Sequence, residues 1–180
     1  MKKYLVLALV AGVLAGCGSQ PQPPAPAATV ASSVDPAFNP TDAAWLGLMI
    51  PMDEQFLRVL GFAPTNSTDP AVRRLAAELT VAHQTELKQL NALRDRARLP
   101  SGNAHQGHNM PGMMTEEEVV ALQKLRGPAF DKVLRAEVKD HLAQSALVTR
   151  SVQAAGQEAG VKQLATTIEK DRTAQAARLG

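Results

Sequence analysis

Aromatic residues are nearly missing from this chain: they make up 3% of its 180 residues, with a single tryptophan and a single tyrosine. A charge of one sign is missing as well. The formal net charge is +2, and Lys2 and Lys3 account for it, since the rest of the chain holds 17 basic against 17 acidic side chains. Without rings to stack on bases and without a basic excess, the chain lacks what nucleic-acid binding requires, and that class is excluded. Cysteine occurs once, at position 17. No cofactor motif and no Glu-x-x-His pair occurs, so a dinuclear-iron oxidase, which needs two such pairs and two further glutamates, is excluded too, and no enzyme is expected. The longest apolar run is too short for a stable membrane span.

That run has its own meaning. Lys2 and Lys3 precede apolar residues from Tyr4 to Val13, and Leu14, Ala15, Gly16 and Cys17 close them with small side chains. A positive start, a short apolar middle and a small-residue exit describe a secretory signal peptide over residues 1–16. The LAGC run resembles the lipobox of bacterial lipoproteins, which implies that Cys17 is the lipidated first residue of the mature chain. An unpaired thiol in an exported protein otherwise lacks a role. The bilayer is then a partner, through the acylated Cys17. Gly18 is not an aspartate, which in a two-membrane bacterium points to the outer membrane. Residues 17–40 carry Pro21, Pro23, Pro24, Pro26 and Pro36 and little to bury, so they read as an extended tether. At roughly 3.1 Å per residue, some twenty residues hold a domain up to ~60 Å from the membrane.

Residues 41–180 read as one helical domain. Trp45, Met49, Met52, Phe56 and Leu60 recur at steps of three and four, which predicts a helix, and Pro51 should kink it. Asp69 and Pro70 cap and open a second helix carrying Val72, Leu75, Leu79, Leu87, Leu90 and Leu93. A long connection from about Leu99 to Met114 follows. Thr115 and Glu118 form a capping box for a short helix. A third long helix is expected over 128–155, with Leu134, Val138, Leu142, Val148 and Val152 inward, and a fourth after Gly156, with Val161, Leu164, Ile168 and Leu179. Four amphipathic helices pool their stripes into an all-α four-helix bundle. An offset of 89 aligns Asp42 with Asp131, Gln55 with Gln144, Val72 with Val161 and Leu75 with Leu164, which suggests two pseudo-repeated helical hairpins.

The strings MPGMMTEEEVVALQKLRGPAFD, DPAVRRLAAELTVAHQTELKQL and LMIPMDEQ resemble the bacterial family called domain of unknown function 305, from about Thr41 onward. The resemblance implies a ferritin-like fold, export, often as a lipoprotein, and, in some members, copper binding without enzymatic activity. It also implies a histidine pair after the MIP of the first helix and another at the matching place in the second half. Here those positions hold Met52 with Asp53, and His141 with Leu142. Three of the four family histidines are replaced, so an inherited site is altered.

Two groups of side chains are candidates for metal chemistry. The stretch HQGHNMPGMM places His105, His108, Met110, Met113 and Met114 on one connection, with Met49 and Met52 a turn apart on the first helix as further thioethers. Thioethers favour Cu(I), and imidazole accepts either copper oxidation state. The alternative is that these methionines only fill space. The second group is His83, Glu86, Asp53 and His141, which fall within or beside apolar stripes and, if buried, need partners. A metal would supply them; so would Arg172, with Gln175 beside it on the same stripe, by bridging Asp53, Glu86 or Asp131. The inward group is read first as a structural polar network, and the function expected is that of a membrane-tethered, exported protein that binds copper through the 105–114 connection, in envelope metal buffering or tolerance. The alternative is a scaffold lipoprotein with a degenerate site, for which a second copy of the chain or another envelope protein is the partner class.

Overall fold

The computed structural model describes residues 34–179, and these form one all-helical unit. The signal peptide, the lipidation at Cys17 and the tether up to residue 33 lie outside the described residues. Six helical segments follow in order: α1 Pro40–Leu60, α2 Ala63–Asn66, α3 Pro70–Arg96, α4 Glu116–Lys124, α5 Gly127–Ala155 and α6 Ala159–Ala177. The four long ones build the bundle: α1 pairs with α3, α5 with α6, and the two hairpins meet through α1 against α5 and α3 against α6. Pro70 and Ala159 open α3 and α6 and are 89 positions apart, the same offset that relates the two halves of the sequence.

Local chemistry starts α3 and α4 where the side chains predict. Asp69 accepts from the amide of Ala71 at 2.8 Å ahead of Pro70, and Thr115 and Glu118 close the box that opens α4. Pro51 withholds an amide from the carbonyl of Gly47, yet α1 continues through it as one helix rather than ending there. The sequence pattern missed the single turn of α2, whose buried Ala63 and Asn66 fill the corner between α1 and α3.

The tether boundary at residue 40 needs correction. Packing begins at least five residues earlier: the Asp35 amide donates to the carbonyl of Ala97 at 3.1 Å, and Phe38 is buried in the core. A single apolar ring in a proline-rich stretch has no periodic neighbours to mark it, so only the finished bundle reveals the slot it fills.

The interior has two apolar clusters separated by a polar layer. One holds Trp45, Leu46, Met49, Met52, Leu90 and Ile168, and the other Phe56, Val59, Leu79, Phe130, Leu134 and Leu142. Between them along the helices come Asp53 of α1, His83 and Glu86 of α3, His141 and Ser145 of α5, and Arg172 of α6, all buried. Each helix thus breaks its apolar stripe at the same height.

Candidate metal centre

The polar layer is a set of close contacts. His83 Nδ1 and Asp53 Oδ1 share a hydrogen bond at 2.9 Å, and His141 Nε2 stands 3.8 Å from the same oxygen. Phe56 sets the ring planes: it stacks on His141 with centroids 3.8 Å apart and planes 5° apart, and meets His83 edge-on at 4.7 Å. Arg172 closes the layer from α6. Its Nη2 donates to Glu86 Oε1 at 2.6 Å and lies 3.6 Å from Asp53 Oδ1, while its Nε donates to Ser145 Oγ at 2.7 Å. The guanidinium therefore bridges two of the three carboxylates expected for it. Asp131 is not one of its ion-pair partners, and Asp131 Oδ1 has no hydrogen-bond partner.

Burial governs the charges. It raises the Asp53 and Glu86 carboxyls to about 7, with Arg172 pulling both the other way. It lowers His83 to about 3, helped by the Arg172 charge, and His141 well below the usual imidazole range, helped by His83 and Arg172. Both imidazoles are neutral at physiological pH and keep a lone pair for a ligand.

Several of these buried atoms have no hydrogen-bond partner among the described residues: Asp53 Oδ2, His83 Nε2, and both ring nitrogens of His141, with the backbone of Gly112 near that ring. Leaving such groups unsatisfied in the interior is unfavourable, and Asp53, His83 and His141 bring theirs from three helices into one layer. One ligand atom each from Asp53, His83 and His141 lies within 4.8 Å of the other two. Ligands at ~2 Å from a common ion stand ~3–4 Å apart, so a contraction of about 1 Å closes the set. Two imidazoles and a carboxylate fit a metal ion chemically, and the spacing of their ligand atoms comes close to what one ion needs. Glu86 belongs to Arg172 and is a neighbour of the triad, not a member.

The Met-rich connection sits over this layer. Gln55 of α1 holds it with a two-point clasp on one backbone unit, accepting from the Met114 amide at 2.8 Å and donating to the Met114 carbonyl at 2.7 Å. Arg58 and Glu116 add a bidentate ion pair on the surface. Gly112, at φ +75°, presses on α5 so closely that an added Cβ would stand 2.5 Å from Gln144 Cβ. Gln55 and Gln144, which the 89-residue offset pairs, thus hold the same turn from opposite sides. That pairing was the one sequence signal of their role.

The connection splits the predicted loop donors. His105 and His108, with rings 6.3 Å apart, line a cleft of about 600 Å³ whose wall also includes Met113, Met114 and Glu54. Met113 packs against the cluster containing Met49 and Met52, and Met114 against the other. Met110 lines a neighbouring cleft, which Met113 and Met114 also line, beside Glu137, which burial and the charges of Asp140 and Glu118 raise to about 7. Met49 and Met52 are 0% and 1% exposed inside the core and do not line the histidine cleft, because the apolar stripe of α1 faces α3 rather than the connection.

Replacing Gly112 with alanine should both strain the backbone and drive the turn off α5, lowering stability by about 1–3 kcal/mol. Limited proteolysis within 100–114 should speed up alongside a lower melting temperature, and a variant cut at the parental rate would contradict the close approach.

Residues 42–180 match the family described as Domain of unknown function (DUF305). Among solved structures, the fold is similar to a DUF305 fragment from Deinococcus radiodurans, with 19% identity, 80% of this chain and 95% of that one covered, and a TM-score of 0.70. A DUF305 protein from Streptomyces coelicolor is similar at 18% identity, 77% and 89% coverage and a TM-score of 0.67. A third, CopM in its Cu(I)-bound form, is similar at 13% identity, 77% and 91% coverage and a TM-score of 0.61. No curated protein matches the chain.

Proposed function

The chain belongs to the DUF305 family, and we propose that it serves there as an exported, membrane-tethered helical protein that binds copper without catalysis, in envelope metal buffering or tolerance. The observation that carries this reading is the meeting of Asp53, His83 and His141, each with an unpartnered buried atom, in the polar layer. Neutral imidazoles bind copper in either oxidation state, and a similarly folded protein carries Cu(I). Export rests on the leader pattern, and no helix among the described residues is long and apolar enough to cross a membrane.

A second reading places the ion in the outer cleft, and the meeting of His105, His108, Met113 and Met114 around one cavity favours it. Titration of the purified protein with Cu(I) against a chromophoric competitor separates the two. One variant carries Met110, Met113 and Met114 changed to leucine, and another carries His83→Leu with His141→Leu. Competition is expected from the parent and the methionine variant and not from the histidine variant. The reverse pattern moves the site to the connection, and failure of all three proteins hands the chain to the scaffold reading.

A further inference from the structure

We propose that Arg172 decides the charge of the ion this cluster accepts, keeping divalent cations out and reserving the site for a monovalent one. The inference rests on the inner-cluster reading above and deepens it. Donor chemistry alone points the other way, because two imidazoles and a carboxylate are a borderline-to-hard set that suits Zn(II) or Cu(II). Something else has to decide, and charge is the strongest candidate in a dry interior.

Three chargeable groups share the layer: the carboxyls of Asp53 and Glu86, and the guanidinium of Arg172, whose charge alone is permanent. With both imidazoles neutral, they leave one negative charge when the carboxylates are ionised. Glu54 and Asp171 are the other charged groups felt by the cluster, and both are exposed, so water screens them. A monovalent ion brings the layer to neutrality. A divalent ion leaves a net positive charge next to a guanidinium that cannot be neutralised, in surroundings where uncompensated charge is heavily penalised.

Arg172 is tied in place by its partners. It is 1% exposed and held from three helices: by Glu86 of α3, by Ser145 of α5, and through its Nη1 by Gln175 on its own helix at 3.4 Å. Rotating it outward to admit a divalent ion would strand Glu86 and Ser145. In the pseudo-repeat Arg172 occupies the position equivalent to His83, so the second half supplies a permanent cation where the first supplies a ligand.

Affinities for Zn(II) and Cu(I), each against a chromophoric competitor, test this in the parent, Arg172→Gln, Arg172→Lys and Glu86→Gln, with circular dichroism to verify folding. Arg172→Gln should gain on the order of a hundredfold or more in Zn(II) affinity, and adding His83→Leu should abolish the gain. Arg172→Lys, which keeps the charge, should stay at the parental level. Glu86→Gln, which still offers Arg172 an acceptor, should lose roughly tenfold or more in Cu(I) affinity, since a monovalent ion then leaves the layer positive. A folded Arg172→Gln with unchanged Zn(II) affinity, or a parent that binds Zn(II) at the triad as tightly, overturns the proposal. If Arg172→Gln does not fold, unchanged Cu(I) binding by Glu86→Gln overturns it instead. A parent that fails to bind Cu(I), beside an Arg172→Gln that gains Zn(II), overturns the copper reading and leaves the exclusion of divalent ions by Arg172 standing.

Discussion

Arg172→Leu is expected to destabilise the metal-free protein by roughly 3 kcal/mol or more near pH 8 and by distinctly less near pH 5. The cause is a stranded pair of buried carboxylates: Glu86 loses a 2.6 Å partner, and Asp53 loses the guanidinium 3.6 Å away. The pH dependence follows from where these groups titrate. Asp53 and Glu86 are raised to about 7 in the folded protein, above the usual carboxylate value. Between those limits the native state holds more protons than the unfolded chain, so their contribution to stability is full at acid pH and is lost as pH rises through about 7. Removing the cation raises both carboxyls further and steepens that loss. His83 adds to the same trend: its value is depressed to about 3 partly by Arg172, so the variant suffers less on acidification than the parent does. Urea unfolding of both proteins at several pH values from 5 to 8 measures the difference directly. A deficit that stays constant across the range would mean that the guanidinium acts by packing alone.

Asp42→Ala should cost about as much, roughly 3–5 kcal/mol, and with a melting temperature lower by on the order of 10 °C. Asp42 is fully buried at the start of α1, and its carboxylate gathers three backbone amides from two distant parts of the chain: Asn39 at 2.9 Å, Gln157 at 3.1 Å and Glu158 at 3.0 Å. The side chain therefore caps α1 and also ties down the turn between α5 and α6. Gly156 lets it do so, since a Cβ there would stand 2.6 Å from Asp42 Oδ1 and 2.5 Å from the carbonyl of Val152. Alanine at position 42 leaves all three amides without their acceptor, and that of Glu158 is buried. Asp42→Asn, which keeps one acceptor oxygen, should recover part of the loss. Thermal melts of the two variants check the order, and an alanine variant that melts with the parent would contradict the proposed tie.

Much of the fold could be read along the chain because its determinants are local. Asp69 before Pro70, Thr115 with Glu118, and apolar residues at helical spacing act over one or two turns, and the structure starts α3 and α4 at those signals. The candidate groups His83, Glu86, Asp53 and His141 were visible too, as polar interruptions of apolar stripes. Phe38, the turn of α2 and the clasp of Gln55 on Met114 were not, because each depends on a partner between three and sixty positions away that carries no pattern of its own. The packing of Met113 against the cluster of Met49 and Met52 was out of reach for a related reason. Helical periodicity says which face is buried but not which neighbour buries it.

The residues alone determined that this chain would build a helical bundle of two similar hairpins, with chargeable groups set into its apolar faces and sulfur and imidazole crowded into one connection. Local backbone preference and the period of the apolar positions suffice for that. Only the packing of α1, α3, α5 and α6 decided that Asp53, His83 and His141 meet at one height with Arg172 beside them, while the loop donors divide between two clefts. Distances between side chains on different helices depend on how those helices pack, and the sequence of any one helix leaves that open.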